Sequence, residues 1–350
     1  MKRLNVFSVI VTLGFVTAMI FSACTKEGPQ GPPGQDGEDG INGQDGNATC
    51  GVCHDNSETV EIKIEQWGNS IHAIGGHNFE NRTTCAPCHT SQGFKEVVNT
   101  DTTATLAAVE NPSNINCYTC HKIHDTYSVS DWDLRKTTPM TFWLTGNTFD
   151  LGKANICVQC HQPRTSYQIP DVTNPEGTYT VTSRRFGPHY GSQGSTITGD
   201  AMYLVNVSGG AYSNSSHYTA NPDACVTCHM ASPIGFTAGG HSFNMWDDFE
   251  GDYNVNGCID CHGSAEEALA AIEELHPEIE ALLTDLGTLL QNEGIYDPAG
   301  TSGTAVTGDY TNRVAGAYWN FKSIEEDRSL GVHNPRFVKM ILEETIASLQ

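Results

Sequence analysis

Two things are scarce in this sequence. The first is positive charge: 18 lysines and arginines stand against 41 aspartates and glutamates, a net charge of −23. A surface that negative repels a phosphate backbone, which excludes nucleic acid as a partner. It suits solubility outside a cell, or docking on basic partners or cation-coated minerals. The second is apolar material. Hydrophobic residues make up 38% of 350 positions and are diluted by 35 glycines. That is a poor supply for the core of one large domain or two small ones. Spare cysteine is missing too: of 13 cysteines, only Cys24 lies outside a single repeated motif.

That motif is Cys-x-x-Cys-His, and it occurs six times: Cys50/Cys53/His54, Cys85/Cys88/His89, Cys117/Cys120/His121, Cys157/Cys160/His161, Cys225/Cys228/His229 and Cys258/Cys261/His262. Two thiols three apart on one turn reach the two vinyl groups on one edge of a porphyrin. The adjacent imidazole then falls over the iron, so the motif marks attachment of a c-type haem. Zinc knuckles and redox dithiols also use Cys-x-x-Cys. Neither requires a histidine after every second cysteine, and a disulfide framework needs no uniform spacing. The expectation is six covalently attached c-type haems, each with its iron held on one side by the motif histidine. About fifty residues would then serve each haem, and the porphyrins stand in for the missing core. The expected fold is mainly α with extensive irregular loops and little sheet, a haem stack as its core, and a C-terminal helical segment.

Four stretches are expected along the chain. Residues 1–23 have a signal-peptide layout, with Lys2 and Arg3 before an apolar run from Leu4 to Phe21. The run ends in Phe21-Ser22-Ala23-Cys24, which resembles a bacterial lipoprotein box and would place a membrane-anchoring lipid on Cys24. The alternative is an uncleaved anchor, since about 18 apolar residues just span a bilayer. Residues 24–49 carry seven Gly-x-y triplets, read either as a collagen-like triple helix or as a stiff, hydrated tether. Residues 50–263 form the hexahaem-binding region, and 264–350 a helical region that supplies the last distal ligand. There, Ser264 and Glu267 form a capping-box signature. Leu269, Ile272, Leu275, Ile279, Leu282, Leu283, Leu286 and Leu290 make a helical stripe that Pro277 kinks or splits near His276. A second helix takes in Val314, Tyr318, Phe321 and Ile324. A third begins with Asn334 as N-cap and Pro335 in the first turn, and its apolar face is Phe337, Val338, Ile341, Leu342, Ile346 and Leu349.

Four further motifs carry a resemblance. Trp67-x-x-Ser70-x-His72, Gly187-Pro188-His189, Cys225-Val-Thr-Cys228-His229-Met230 with Gly239-Gly240-His241, and Gly331-Val332-His333-Asn334-Pro335 come in an order that resembles a group of exported multihaem cytochromes c. These are related to the pentahaem nitrite reductases and octahaem hydroxylamine oxidoreductases, and the likeness covers most of residues 50–350. The resemblance implies distal iron ligands at His72, His189, His241 and His333. The chain departs from both branches of the group: the hydroxylamine-oxidising members leave an iron without a distal ligand and have more haems than the six expected here. The nitrite reductases have lysine in place of histidine in the catalytic haem motif, whereas here all six motifs end in histidine. The resemblance therefore supports a shared scaffold and haem stacking more than shared catalysis.

Counting histidines extends this. Six of 14 are in the motifs, leaving His72, His77, His124, His189, His217, His241, His276 and His333. Six irons closed on both faces need six of these. His124, three residues past a proximal ligand, is placed to serve a neighbouring haem, and His217 sits in a Ser/Asn-rich loop where iron can pin the chain. With the four of the resemblance they complete the expected set. His77 is an alternative to His72. His276, next to a proline, is as readily a capping or surface group as a ligand. Met230 and Met245 are further axial donors that the surplus of histidine makes unnecessary.

An iron closed by two imidazoles has no site for substrate and passes electrons. The expected function is electron transfer along six haems, in a cell-envelope or surface lipoprotein. Its partners would be redox proteins or extracellular electron acceptors, and it would act alone, as a homo-oligomer or as a filament. The alternative is an oxidoreductase acting on a small nitrogen or sulfur compound at one open-faced haem. His276, Tyr190 or Arg185 would be its acid–base groups, though Arg184 and Arg185 have the plainer reading of propionate partners.

Overall fold

Each described Cys-x-x-Cys-His motif is wound into a single helical turn. The turns are Ala86–His89, Cys117–Cys120, Asn155–Val158, Cys225–His229 and Ile259–His262. Four of the five share an i→i+4 hydrogen bond from the motif histidine's amide to the first cysteine's carbonyl: His89 to Cys85 at 3.1 Å, His121 to Cys117 at 2.9 Å, His161 to Cys157 at 3.0 Å and His262 to Cys258 at 2.9 Å. That bond brings both thiols onto one side of the turn and sets the histidine at its end. A lone turn is not self-supporting, so these turns are held by what packs against them. The computed structural model of the chain describes residues 54, 58–74 and 81–350, all in one compact unit. Cys24, Cys50, Cys53, His77 and the Gly-x-y triplets lie outside the described residues.

The longer helices are α1 (Glu58–Gly68), α2 (Ser91–Thr100), α3 (Ala265–Asn292), α4 (Asn312–Asp327) and α5 (Pro335–Leu349). Between them the chain is mostly turns and irregular loops. Strands are short and paired two by two, all antiparallel. β1 (Met140–Thr141) pairs with β2 (Thr148–Phe149), β3 (Thr178–Val181) with β6 (Gly308–Thr311), and β4 (Trp246–Asp247) with β5 (Asp252–Tyr253). The molecule is thus helical with little sheet, as its composition implies.

α3, α4 and α5 build the larger apolar core. α4 is its centre: Val314, Ala315, Ala317, Tyr318, Trp319, Phe321 and Ile324 are all buried, against Ile279, Leu286 and Leu290 of α3 and Phe337, Val338, Ile341 and Leu342 of α5. Ser264 caps α3 by accepting the Glu267 amide at 3.1 Å. Two expectations need correction. Pro277 does not split α3, which runs unbroken for 28 residues, because the burial of Ile279, Leu286 and Leu290 beyond it holds the helix together across the missing amide. Asn334 does precede α5, but its side chain makes no cap. It is fully buried and bonds sideways instead. Its Nδ2 donates to the carbonyls of Thr196 (3.2 Å) and Ile197 (3.0 Å) and to Asn214 Oδ1 (2.8 Å), while its Oδ1 accepts the Ser215 amide at 2.8 Å.

A second, smaller cluster, Met140, Phe142, Leu151, Ala154, Val158, Ile197, Ala201 and Ala224, supports the fourth motif. Among the described residues before Met140, the buried apolar side chains are Ala86, Pro87, Phe94 and Val97.

Candidate functional site

Histidines of the six motifs face six other histidines, one to one. The ring centres are 6.2 Å apart for His54–His124, His72–His161, His89–His189 and His121–His241, and 6.1 Å apart for His217–His262 and His229–His333. Each pair joins distant parts of the chain. His124 stands opposite the first motif and not its own, while His72, ahead of the second motif, stands opposite the fourth. Two imidazoles bound on opposite sides of one metal, through bonds of about 2 Å with ring centres about 1 Å further, lie about 6 Å apart. The six separations match that span.

Hydrogen bonds at Nδ1 fix which nitrogen is presented. His121 Nδ1–H donates to the Trp132 carbonyl (2.6 Å), His229 to that of Phe243 (2.7 Å), and His217 to that of Val332. His161 donates to Gln193 Oε1 at 2.9 Å and His333 to Asp327 Oδ1 at 2.7 Å. These oxygens only accept, so Nδ1 carries the proton and Nε2 keeps its lone pair for a metal. His124 Nδ1 lies 3.3 Å from the Tyr118 hydroxyl. Burial also favours the neutral ring that ligation requires. It pushes His72, His229 and His241 down to about 4, with the neighbouring imidazoles adding to the effect, and it lowers His121 and His161. His333 differs: burial works against its charged form, but the Asp327 carboxylate outweighs burial and raises it.

Two of the facing histidines sit in strained backbone, His124 at φ +63° and His189 at φ +66°. For His124 the structure shows what maintains this. The buried Asp131 accepts the His124 amide at 2.7 Å, the Thr126 amide at 2.8 Å and the Tyr127 amide at 3.1 Å, and Tyr127 stacks on the imidazole at 5.3 Å. The His241 segment is held by Gln66 of α1, whose Oε1 accepts the His241 amide at 3.0 Å.

All twelve paired histidines line one cavity of about 3600 Å³, along with the ten described motif cysteines. Divided among six pairs this is about 600 Å³ each, within the roughly 300–1,000 Å³ of a small-molecule site. The motifs adjoin one another: the side chains of Cys88 and Cys160, Cys157 and Cys225, and Cys228 and Cys258 are in contact. Two buried donors on the cavity wall, Trp67 Nε1 and Arg164 Nε, have no hydrogen-bond partner among the described residues. A buried donor calls for an acceptor, and an occupant bearing carboxylates supplies one. Donor set, spacing, volume and orphan donors all fit a c-type haem between each pair.

The remaining candidates fall elsewhere. His276 meets the Tyr253 ring edge-on at 6.0 Å and faces the cavity. Met230 and Met245 also line it. Arg184 is engaged by Asp297 at 2.7 Å and by the Gly303 carbonyl at 3.2 Å, and Arg185 donates to the Ser302 carbonyl at 3.3 Å. Tyr190 is exposed beside His189, and its amide donates to Glu326 at 2.8 Å. Asp131, Gln193, Asp327 and Asn334 were not singled out as site residues from sequence. An acidic or amide side chain carries no local mark of the histidine it holds, which lies six positions from Asp327 and 32 from Gln193.

No protein-family model matches the chain, and no curated protein matches it. Among solved structures the chain is similar to the outer cell wall cytochrome OcwA. Identity is 20% and the TM-score 0.48, over 82% of this chain and 50% of that one, so this chain spans about half the length of that structure.

Proposed function

We propose that this chain is a six-haem cytochrome c that relays electrons. Each haem would be tethered by the two cysteines of one motif, its iron between the motif histidine and its facing partner: His54/His124, His89/His189, His121/His241, His161/His72, His229/His333 and His262/His217. The observation that carries this reading is the pairing itself, six imidazole pairs at 6.1–6.2 Å with no motif histidine left over. Bound haem supplies a one-electron couple whose potential depends on its axial ligands and their surroundings.

The protein's own groups hold and orient. Backbone carbonyls and side-chain oxygens at Nδ1 keep Nε2 free and fix the ring direction, and burial favours the neutral ring at His72, His121, His161, His229 and His241. Contacts between motif cysteines favour adjoining sites: the second motif beside the fourth, the fourth beside the fifth, and the fifth beside the sixth. The first site is tied to the third through His124, and both of its histidines are exposed, which suits exchange of electrons with an outside partner. Turnover of a small nitrogen or sulfur compound needs one iron face left open, and the pairing favours relay over turnover.

The setting belongs to the same proposal. The chain is an exported lipoprotein held to a membrane through Cys24 by the Gly-x-y tether. It passes electrons to redox proteins or extracellular acceptors, as a single copy, a homo-oligomer or a filament. Among the described residues no helix is long and apolar enough to cross a membrane. Electron paramagnetic resonance of the oxidised protein, with a haem count per chain, tests the reading. Six haems and low-spin signals only are expected; a high-spin ferric signal, or carbon monoxide binding by the reduced form, overturns it.

A further inference from the structure

α4 ends between two of the histidine pairs and serves both. Its last residue, Asp327, has a fully buried side chain. Oδ1 accepts the Nδ1–H of His333 at 2.7 Å, and Oδ2 accepts the Ser329 hydroxyl. The backbone carbonyls of Glu326 and Asp327 accept Gln193 Nε2 at 3.3 and 3.5 Å, and Gln193 Oε1 takes the Nδ1–H of His161 at 2.9 Å. The two motifs concerned touch through Cys157 and Cys225. One helix terminus therefore orients an imidazole in each of two adjoining sites, by different chemistry. Of the six Nδ1 partners described, five are neutral oxygens, on Tyr118, Trp132, Gln193, Val332 and Phe243. The sixth, at His333, is a carboxylate.

We propose, resting on the haem reading above, that Asp327 sets the redox order inside the relay: acting through His333, it makes the iron between His229 and His333 harder to reduce than its neighbour between His72 and His161. A carboxylate accepting from Nδ1 shifts electron density toward Nε2 and makes the imidazole a stronger donor. A buried negative charge nearby also favours the more positive, oxidised iron, and does so more strongly in a low-dielectric interior than in water. Gln193 gives the same orientation without the charge. Asp327 is thus a positioning residue that places a low-potential site within the relay.

The test uses the full-length, haem-loaded protein, titrated by spectroelectrochemistry with electron paramagnetic resonance as a second readout. Asp327→Asn keeps a side chain that can accept the bond and removes the charge. At a fixed poise, the reduced-to-oxidised ratio of one haem should rise tenfold or more, equivalent to about 59 mV for one electron. The other five should titrate as before, and one low-spin signal should shift. Gln193→Glu places a carboxylate under His161 and should move the adjoining haem the opposite way; it serves also if Asp327→Asn does not fold. The proposal is overturned if Asp327→Asn leaves all six titrations in place or moves them together, or if Gln193→Glu lowers none. Fewer than six haems or a high-spin signal in the unmodified protein would instead count against the haem relay, while six low-spin haems with unmoved potentials count against Asp327 alone.

Discussion

Asn334 shows how much of the site hangs on single buried side chains. It sits next to His333, and its Oδ1 holds the Ser215 amide two residues before His217; His217 in turn donates to Val332. The segments carrying His217 and His333 are thereby locked together, although they face different motifs. Asn334→Ala strands the Ser215 amide and the carbonyls of Thr196 and Ile197, and a buried group left unpaired costs about 1–3 kcal/mol. Chemical denaturation should show a loss of about 2–3 kcal/mol, with the spectra of the His217/His262 and His229/His333 centres altered and the others intact. Asp131→Ala should act on one centre only. Without the bonds that Asp131 accepts from the His124, Thr126 and Tyr127 amides, the Tyr127 stack alone opposes the strain of a histidine at φ +63°. A high-spin signal from the His54/His124 centre is expected, with the other five low-spin; six unchanged low-spin signals would refute it. At this scale the sequence was legible wherever the partners are close in the chain. Cys-x-x-Cys-His is self-contained within one turn. Asn334 reads as a helix cap because its bonds, to residues more than a hundred positions away, leave no local trace.

Among the elements, α4 depends on the closeness of its approach to Tyr203. A Cβ built on Gly316 would lie 2.3–2.5 Å from three atoms of the Tyr203 ring, and Asn320 clasps that residue's backbone on both sides, at 2.8 Å each. Alanine is preferred over glycine within a helix by about 1 kcal/mol, but overpacking a buried contact costs about 1–3 kcal/mol. Because Tyr203 is both buried and clasped, the steric term wins. Gly316→Ala should lower the denaturation midpoint, and a stabilised variant would show that the ring can move. The three C-terminal helices were legible from their apolar periodicity, the Ser264 cap and Pro335. The unbroken course of α3 through Pro277 was not, because it rests on packing against α4 and α5. The one-turn helices had the opposite character: their location follows from the motif, but what supports each turn is brought in from elsewhere, as Gln193 is to His161.

Considered as a whole molecule, the chain under the six-haem proposal draws its order from two sources, and acid and haem removal separate them. Asp150, Asp171, Asp223, Asp247, Asp297 and Glu344 are all held below their ordinary values, chiefly by hydrogen bonds from Asn155, Thr173, Lys153, Thr237, Arg184 and Ser208 respectively. Carboxyls more acidic in the folded than in the unfolded chain bind fewer protons when folded. Their contribution is therefore complete above the ordinary carboxylate pKa of about 4 and is lost as pH falls through the depressed values. The carboxylate share should make the denaturation midpoint fall as pH drops below about 4; a midpoint that rises between about pH 4 and 3 would contradict this. Removing the haems should be far from uniform. Residues 140–349 contain both apolar clusters, whereas the described residues before Met140 bury few apolar side chains, Ala86, Pro87, Phe94 and Val97. Such side chains contribute at most about 3 kcal/mol each, against an ordering cost of about 1–2 kcal/mol for every residue fixed. In a chain with all twelve motif cysteines replaced by alanine, hydrogen exchange should be unprotected across residues 81–136. α3, α4 and α5 should keep the slowest amides, because Trp319, Ile279 and Ile341 still pack with no porphyrin between them. Equal protection in both regions would mean that the N-terminal motifs have a protein core of their own.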